Sequence, residues 1–216
     1  MHPNRIDYDA LWRETAGLAA DEALYYFDQH LPFLARDAYL ARSPRPAVIV
    51  RFQHASFEYV FDHYTSLEAI GAVPYSPTDE SRLVVAHGRS TPSGRSRDDY
   101  RLWGSVGPTV STFGVGWDKG RYIAYSLGGA VDGLEANVFV QRRELNRGWS
   151  TDGRRFRAME RYCVEHPGTL CFARPIYVDG TARPGWLEFG IVHAESGLEV
   201  ACFDNRCPTV GLEAPA

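Results

Sequence analysis

The chain has 216 residues, of which 44% are hydrophobic, 13% aromatic and 23% charged, and its formal net charge at pH 7 is −4. The aromatic content excludes a disordered chain, and the length fits one well-buried domain better than two full domains. The negative net charge excludes a protein whose whole surface binds nucleic acid, but it is compatible with a local basic patch.

Charge is segregated along the sequence. The first forty residues contain seven acidic residues and three arginines, whereas residues 142–161 contain seven arginines and three acidic residues. Lys119 is the only lysine. We expect the acidic run to form a solvated helix face, and the alternative is a surface that binds a basic partner.

The N-terminal region has the pattern of an amphipathic helix between residues 8 and 29. Apolar residues recur there at alternating steps of four and three: Trp12, Ala16, Ala19, Ala23 and Tyr26. Pro44 and Pro46 then stop any helix. The sequence therefore predicts an N-terminal helical region at residues 1–45 and a main domain at residues 46–216.

The main domain contains short apolar or alternating runs separated by turn residues, a pattern that predicts strands. These runs lie at residues 47–52, 83–86, 100–103, 122–126, 136–140, 170–178, 186–193 and 198–203. The aromatic segment 57–70 has no clear period, so both helix and strand stay open there. The predicted fold class is α+β, with a mainly antiparallel β core and an N-terminal helical region.

One predicted helix, at residues 154–164, interrupts the strands. Phe156, Met159 and Cys163 share one face of it, and Glu160 lies about 40° from Phe156 at about 100° per residue. The glutamate therefore borders the buried side of the helix. Because two predicted strands precede this helix, the local order is strand, strand, helix.

Four short motifs follow one another in this part of the chain. They are DKGR at residues 118–121, NVFVQ at 137–141, LNRG at 145–148 and FRAME at 156–160. The ordered set resembles the DNA/RNA non-specific endonuclease family, which has a ββα-metal, or His-Me finger, site. That family carries DRGH, a hydrophobic strand with a PQ-like element, LN-[QR]-G and a helix with the pattern aromatic-x-x-[LM]-E. The resemblance runs from about residue 82 to residue 200 and implies a ββα-metal motif within the β core.

In that family the motif asparagine binds the metal, usually Mg²⁺, and the helix glutamate orients metal-bound water. The matching residues here are Asn146 and Glu160. Lys119 replaces the motif arginine and keeps a positive charge for the phosphate. Taken without the resemblance, Asn146 would form an Asx turn, and Glu160 would pair with Arg157 or Arg161.

Arg121 stands where the family has its general-base histidine, and a guanidinium stays protonated and cannot accept a proton from water. The resemblance implies a catalytic set of Lys119, Arg121 and Glu160. The base would then be His87, at the end of a predicted strand, or a metal-bound hydroxide. Tyr122 is a poorer substitute, because strand alternation points it to the opposite face from Arg121.

Two further features concern the spacing and the substrate. Asn146 and Glu160 are fourteen residues apart, which is a longer spacing than the resembling family has. Residues 150–155 have the character of an insertion, which either loops out or moves Asn146 away from Glu160. The expected substrate-binding residues are Arg142, Arg143 and Arg147.

The resemblance implies a Mg²⁺-dependent endonuclease acting on DNA or RNA, divergent at the general-base position. The alternative is a catalytically inactive module of the same fold that binds nucleic acid or a protein partner. Family members often act as bacterial toxins or effectors, which implies an immunity or delivery protein as a partner. Neither a bilayer-spanning apolar segment nor a signal-peptide pattern is visible. We therefore expect no membrane partner, and a location that is cytoplasmic or reached through a specialised secretion system.

Overall fold

The structure is a computed structural model that describes residues 6–43, 48–62, 82–91, 115–130, 137–179, 181–193 and 197–206. The helices are α1 (Tyr8–Arg13), α2 (Ala20–Leu40), α3 (Arg143–Asn146) and α4 (Thr151–Glu165). The strands are β1 (Ile49–His54), β2 (Phe57–Asp62), β3 (Arg82–Arg89), β4 (Trp117–Arg121), β5 (Val138–Arg142), β6 (Leu170–Ile176), β7 (Trp186–His193) and β8 (Gly197–Asp204). The predicted strand at 100–103 and the predicted boundary near residue 45 lie outside the described residues.

Six strands form one antiparallel sheet in the order β1-β2-β3-β6-β7-β8, and β4 and β5 pair in a separate antiparallel hairpin. Helices α1 and α2 cover one face of the large sheet, and the hairpin and α4 cover the other. Strands β6 and β7 are buried along almost their whole length because both faces are covered. The predicted α+β class with a mainly antiparallel core is confirmed.

The N-terminal region differs from the single helix that residues 8–29 predict. Gly17, at φ +90°, lies in the turn between α1 and α2, and Ala16 and Ala19 are exposed there. Helix α2 instead buries every fourth residue: Ala23, Phe27, Leu31 and Ala35. This stripe packs on β3 and β6. No helix in the described part of the chain has both the length and the apolar character needed to cross a membrane.

A buried polar triad ties α1 to the large sheet. The Tyr8 hydroxyl donates to Glu188 Oε2 at 2.5 Å, and Arg174 Nε donates to the same oxygen at 2.6 Å. Burial raises the pKa of Tyr8, so its hydroxyl remains a proton donor at ordinary pH. The triad satisfies two charges that would otherwise be costly to bury.

On the other face, α4 packs through Phe156, whose ring makes edge contacts with Phe189 and Phe203 at centroid distances of 5.4 and 5.3 Å. Cys163 of α4 and Cys171 of β6 are buried thiols in the same cluster, with no disulfide between them. These contacts fix α4 against the sheet, and with it the position of Glu160 on the helix.

The hairpin is held by two asparagine side chains. Asn205, next to β8, accepts a hydrogen bond from Arg142 N at 2.7 Å and donates to Val140 O at 3.0 Å. Asn137 accepts from Ile123 N at 2.8 Å and donates to Ile123 O at 2.7 Å. The strand predicted at 122–126 is wrong, because β4 ends at Arg121 and a 3₁₀ turn follows at Tyr125–Leu127.

Candidate functional site

The four sequence motifs meet at the junction of the hairpin with α3 and α4. Chain order is β4, β5, α3 and α4, so the predicted strand–strand–helix order is confirmed. Asn146 is the last residue of α3, and Gly148, at φ +71°, lies in the turn that follows. Glu160 lies on α4 with its side chain only 8% exposed. The predicted position of Glu160 at the buried side is therefore confirmed.

Residues 150–155, expected to be an insertion, form the start of α4. Ser150 is the N-cap and accepts a hydrogen bond from Gly153 N at 2.9 Å. Gly153 lets α3 approach closely, because a Cβ there would lie 2.4 Å from the Glu144 carbonyl oxygen. Residues 150–155 therefore belong to the N-cap and first turns of α4 and do not loop out.

Asp118, from the DKGR motif, is the centre of a hydrogen-bonded cluster. Its carboxylate accepts from Arg147 Nε at 2.6 Å, from Arg143 Nε at 3.0 Å and from Asn146 Nδ2 at 3.3 Å. Partial burial disfavours the charged form, but the bonds from Arg147 and Arg143 outweigh it and lower the pKa of Asp118. The carboxylate therefore stays ionised and joins β4 to α3.

Arg157 connects the two residues that the resemblance assigns to the metal site. Its Nη1 donates to Glu160 Oε2 at 2.7 Å, and its Nη2 donates to Asn146 Oδ1 at 3.3 Å and to the Asn146 carbonyl oxygen. Asn146 and Glu160 are thus brought within reach of one guanidinium despite their spacing of fourteen residues. The ion pair of Glu160 with Arg157, one of the two alternatives from the sequence, is present.

These contacts do not fit a resident divalent metal. The Asn146 amide oxygen and the Glu160 carboxylate both accept hydrogen bonds from the Arg157 guanidinium. Within the described ranges, no three His, Cys, Asp or Glu side chains are grouped so that they could hold a metal ion. The cation between the Asn146 and Glu160 oxygens is therefore the Arg157 side chain of the protein itself.

Lys119 and Arg121 lie two residues apart on β4, so strand alternation puts their side chains on one side of the hairpin. Both are partly buried. Tyr122 packs in the core, where its ring stacks on Phe139 at a centroid distance of 4.4 Å, and burial raises its pKa. A buried phenol with a raised pKa is unsuited to act as a base, in line with its low ranking from the sequence.

His87 is not brought to this site. It lies on β3, and its Nδ1 is 2.7 Å from Asp28 Oδ1 of α2, which covers the opposite face of the large sheet. Its neighbour Ala86 belongs instead to the cluster that contains Phe156. His87 lies within the stretch that the resemblance covers, but the sheet lies between His87 and α4.

The surroundings of His87 predict a pH-dependent stability. Burial disfavours its charged form, but Asp28 and Glu58 outweigh burial and raise its pKa. The stabilisation is fully present below the unfolded pKa of about 6.5 and is lost as pH rises through the folded pKa. We expect the unfolding free energy, measured by urea denaturation from about pH 6 to about pH 9, to fall less steeply with pH in His87→Gln. Exposed His30→Gln is the control, and an unchanged profile in His87→Gln would contradict the expectation.

The three expected substrate-binding arginines all lie at the site, and each is ion-paired. Arg143 and Arg147 share Asp118, and Arg142 Nη2 is 2.6 Å from Glu144 Oε2. Sequence reasoning missed the role of Asp118 and the hydrogen bond of Arg157 to Asn146. The pairing of Arg157 with Glu160 was among the alternatives from the sequence, because a spacing of three residues puts two helical side chains on the same side.

The described elements define an α+β protein with an antiparallel sheet and a strand–strand–helix site. No family model matches the chain, and no curated protein matches it. Solved structures do match, and one of them is an extracellular endonuclease. It is 13% identical, with a TM-score of 0.36, over 79% of this chain and 84% of its own.

Proposed function

We propose that the chain binds the phosphate backbone of nucleic acid at the surface formed by the hairpin, α3 and the first turns of α4. We also propose that the chain does not hydrolyse the bound nucleic acid. The observation that carries this proposal is the pairing around Asp118, where one carboxylate faces two guanidinium groups. One positive charge is therefore uncompensated within this cluster. A phosphate is the natural further partner of such a cluster, since guanidinium groups bind it in a bidentate manner.

Arg147 is the most accessible member of the cluster. Its side chain is 46% exposed, and its guanidinium lies 5.0 Å from the ring centroid of Trp149, which is itself exposed. Asp118 and Trp149 hold the guanidinium in place before any ligand arrives, so little side-chain entropy remains to be lost on binding. Arg154 is exposed on the first turn of α4 and adds to the positive surface.

Two guanidinium groups support the proposal that the chain does not hydrolyse nucleic acid. Arg121 occupies the position where the resembling family keeps a proton acceptor, and an arginine side chain stays protonated. Arg157 lies between Asn146 and Glu160, whose oxygens the same family uses around its metal. Both guanidinium groups supply positive charge for phosphate binding, and neither can accept a proton from water.

Arg147→Ala is expected to weaken binding of a fluorescent oligonucleotide and to lower the slope of log K against log salt by about one, since one phosphate contact is lost. The matched control is Arg36→Ala, because Arg36 is also paired with a single aspartate but lies on α2. Fluorescence anisotropy over a salt series measures both quantities. Equal salt slopes for the natural protein, Arg147→Ala and Arg36→Ala would contradict the proposed surface.

A Mg²⁺-dependent endonuclease is the second candidate function. The observation that favours it is the proximity of Asn146 and Glu160, but Arg157 would have to move away before a metal could reach both oxygens. Incubation with supercoiled plasmid and Mg²⁺ separates the two candidates. We expect no nicking by the natural protein; nicking that requires Mg²⁺ and is lost in Glu160→Ala would establish the second candidate instead.

A further inference from the structure

We infer that Arg157 is a built-in cation that occupies the place of a divalent metal between Asn146 and Glu160 and excludes such a metal from this site. The inference concerns metal binding by the protein alone. It therefore does not depend on whether the chain binds nucleic acid.

The first support is geometric. Nη1 of Arg157 is 2.7 Å from Glu160 Oε2, and Nη2 is 3.3 Å from Asn146 Oδ1. A Mg²⁺ ion requires its oxygen ligands at about 2.0–2.1 Å in near-octahedral geometry. An ion at that distance from both oxygens would lie against the guanidinium nitrogens and would meet like charge at close range.

The second support is that the neighbouring groups hold Asn146 in one orientation. Asn146 Nδ2 donates to Asp118 Oδ2 at 3.3 Å, which turns the amide oxygen toward Arg157. The same amide orientation would suit a metal ligand. Asp118 therefore orients an amide oxygen that accepts a hydrogen bond from the Arg157 guanidinium. Rotation of the amide would place its NH₂ group against the Arg157 guanidinium, which has only donors.

The third support is the environment of the carboxylate and of the Arg157 stem. The Glu160 side chain is 8% exposed, and a buried carboxylate is costly unless a charge compensates it. Arg157 supplies this charge, and its Cγ lies close to Gly148, since a Cβ added at Gly148 would be 3.4 Å from that Cγ. Because the guanidinium is covalently attached and always charged, it neutralises Glu160 with no dependence on free metal concentration.

The test is a Mn²⁺ titration followed by the electron paramagnetic resonance signal of free Mn²⁺. We expect the natural protein to show no site that depends on Glu160. Arg157→Met removes the cation and is expected to bind one Mn²⁺ at least about tenfold more tightly than the natural protein. Arg157→Met/Glu160→Gln should lose that site. Arg161→Met is the matched control, because Arg161 is the next arginine on α4 and is exposed.

A natural protein that binds Mn²⁺ and loses the ion in Glu160→Gln would overturn the inference. So would a folded Arg157→Met that gains no site, with folding checked by thermal unfolding. If Arg157→Met does not fold, a comparison of Mn²⁺ binding by the natural protein and by Glu160→Gln tests the inference instead. Equal, weak Mn²⁺ binding by those two proteins supports the inference, and a difference between them overturns it.

Discussion

Glu188→Leu is expected to lower the free energy of unfolding by about 3–5 kcal/mol, because it leaves the charge of Arg174 buried without its partner. The side chains of Arg174 and Glu188 are only 4% and 5% exposed, and their ion pair measures 2.6 Å. Tyr8 also loses the acceptor of its hydroxyl, so the docking of α1 weakens at the same time. Urea denaturation at neutral pH measures the difference.

Two controls separate the buried charge from a general effect of substitution. Glu144→Leu breaks the more exposed pair with Arg142 and should cost no more than about 1 kcal/mol. Arg174→Met/Glu188→Leu removes both charges and should recover much of the loss, since an apolar pair can replace a buried ion pair. A double variant as unstable as Glu188→Leu would contradict the explanation from an unpaired charge.

Gly153→Ala is expected to destabilise the protein by about 1–3 kcal/mol through overpacking. Alanine inside a helix is usually better than glycine by about 1 kcal/mol, so the expected sign is the reverse of helix propensity. The reason is that an added Cβ would lie 2.4 Å from Glu144 O and 3.0 Å from Leu145 O, both backbone atoms of α3. The two helices would have to separate, and Asn146 would move with α3.

Thermal unfolding monitored by circular dichroism checks this sign. Arg154→Ala, at the next position of α4, adds helix propensity without touching α3 and should leave the stability within about 0.5 kcal/mol. An increase in Tm for Gly153→Ala would show that α3 can move at little cost. It would contradict the explanation that Gly153 is needed for the close approach of α3 to α4.

Strands β6, β7 and β8 were predicted best, because each is an apolar or alternating run bounded by turn residues. Strand β7 coincides with the predicted residues 186–193, and β6 and β8 differ from prediction by at most two residues at an end. The helix predicted over residues 8–29 was wrong in extent, because its apolar period continues through a turn that Gly17 makes at positive φ. Local periodicity does not indicate which apolar residues find a surface to pack on.

The candidate site was predicted only in part. Glu160 could be placed at the buried side of its helix because helical angles follow from sequence spacing. The contacts of Asn146 with Asp118 and Arg157 depend on the chain reversal at Gly148 and on close packing of α3 against α4, which are tertiary features. His87 illustrates the same limit, because a position within the resembling stretch does not specify the face of a sheet.

Asn205 has a consequence beyond the attachment of the hairpin. Strand β5 has β4 on one side, and the Asn205 side chain bonds Arg142 N and Val140 O on the other. A carboxamide has the donor and acceptor of a peptide group, so this side chain substitutes for one residue of a neighbouring strand. Exposed strand edges invite pairing with the edge of another chain. One asparagine therefore occupies backbone groups of β5 with which a strand of another chain would otherwise pair.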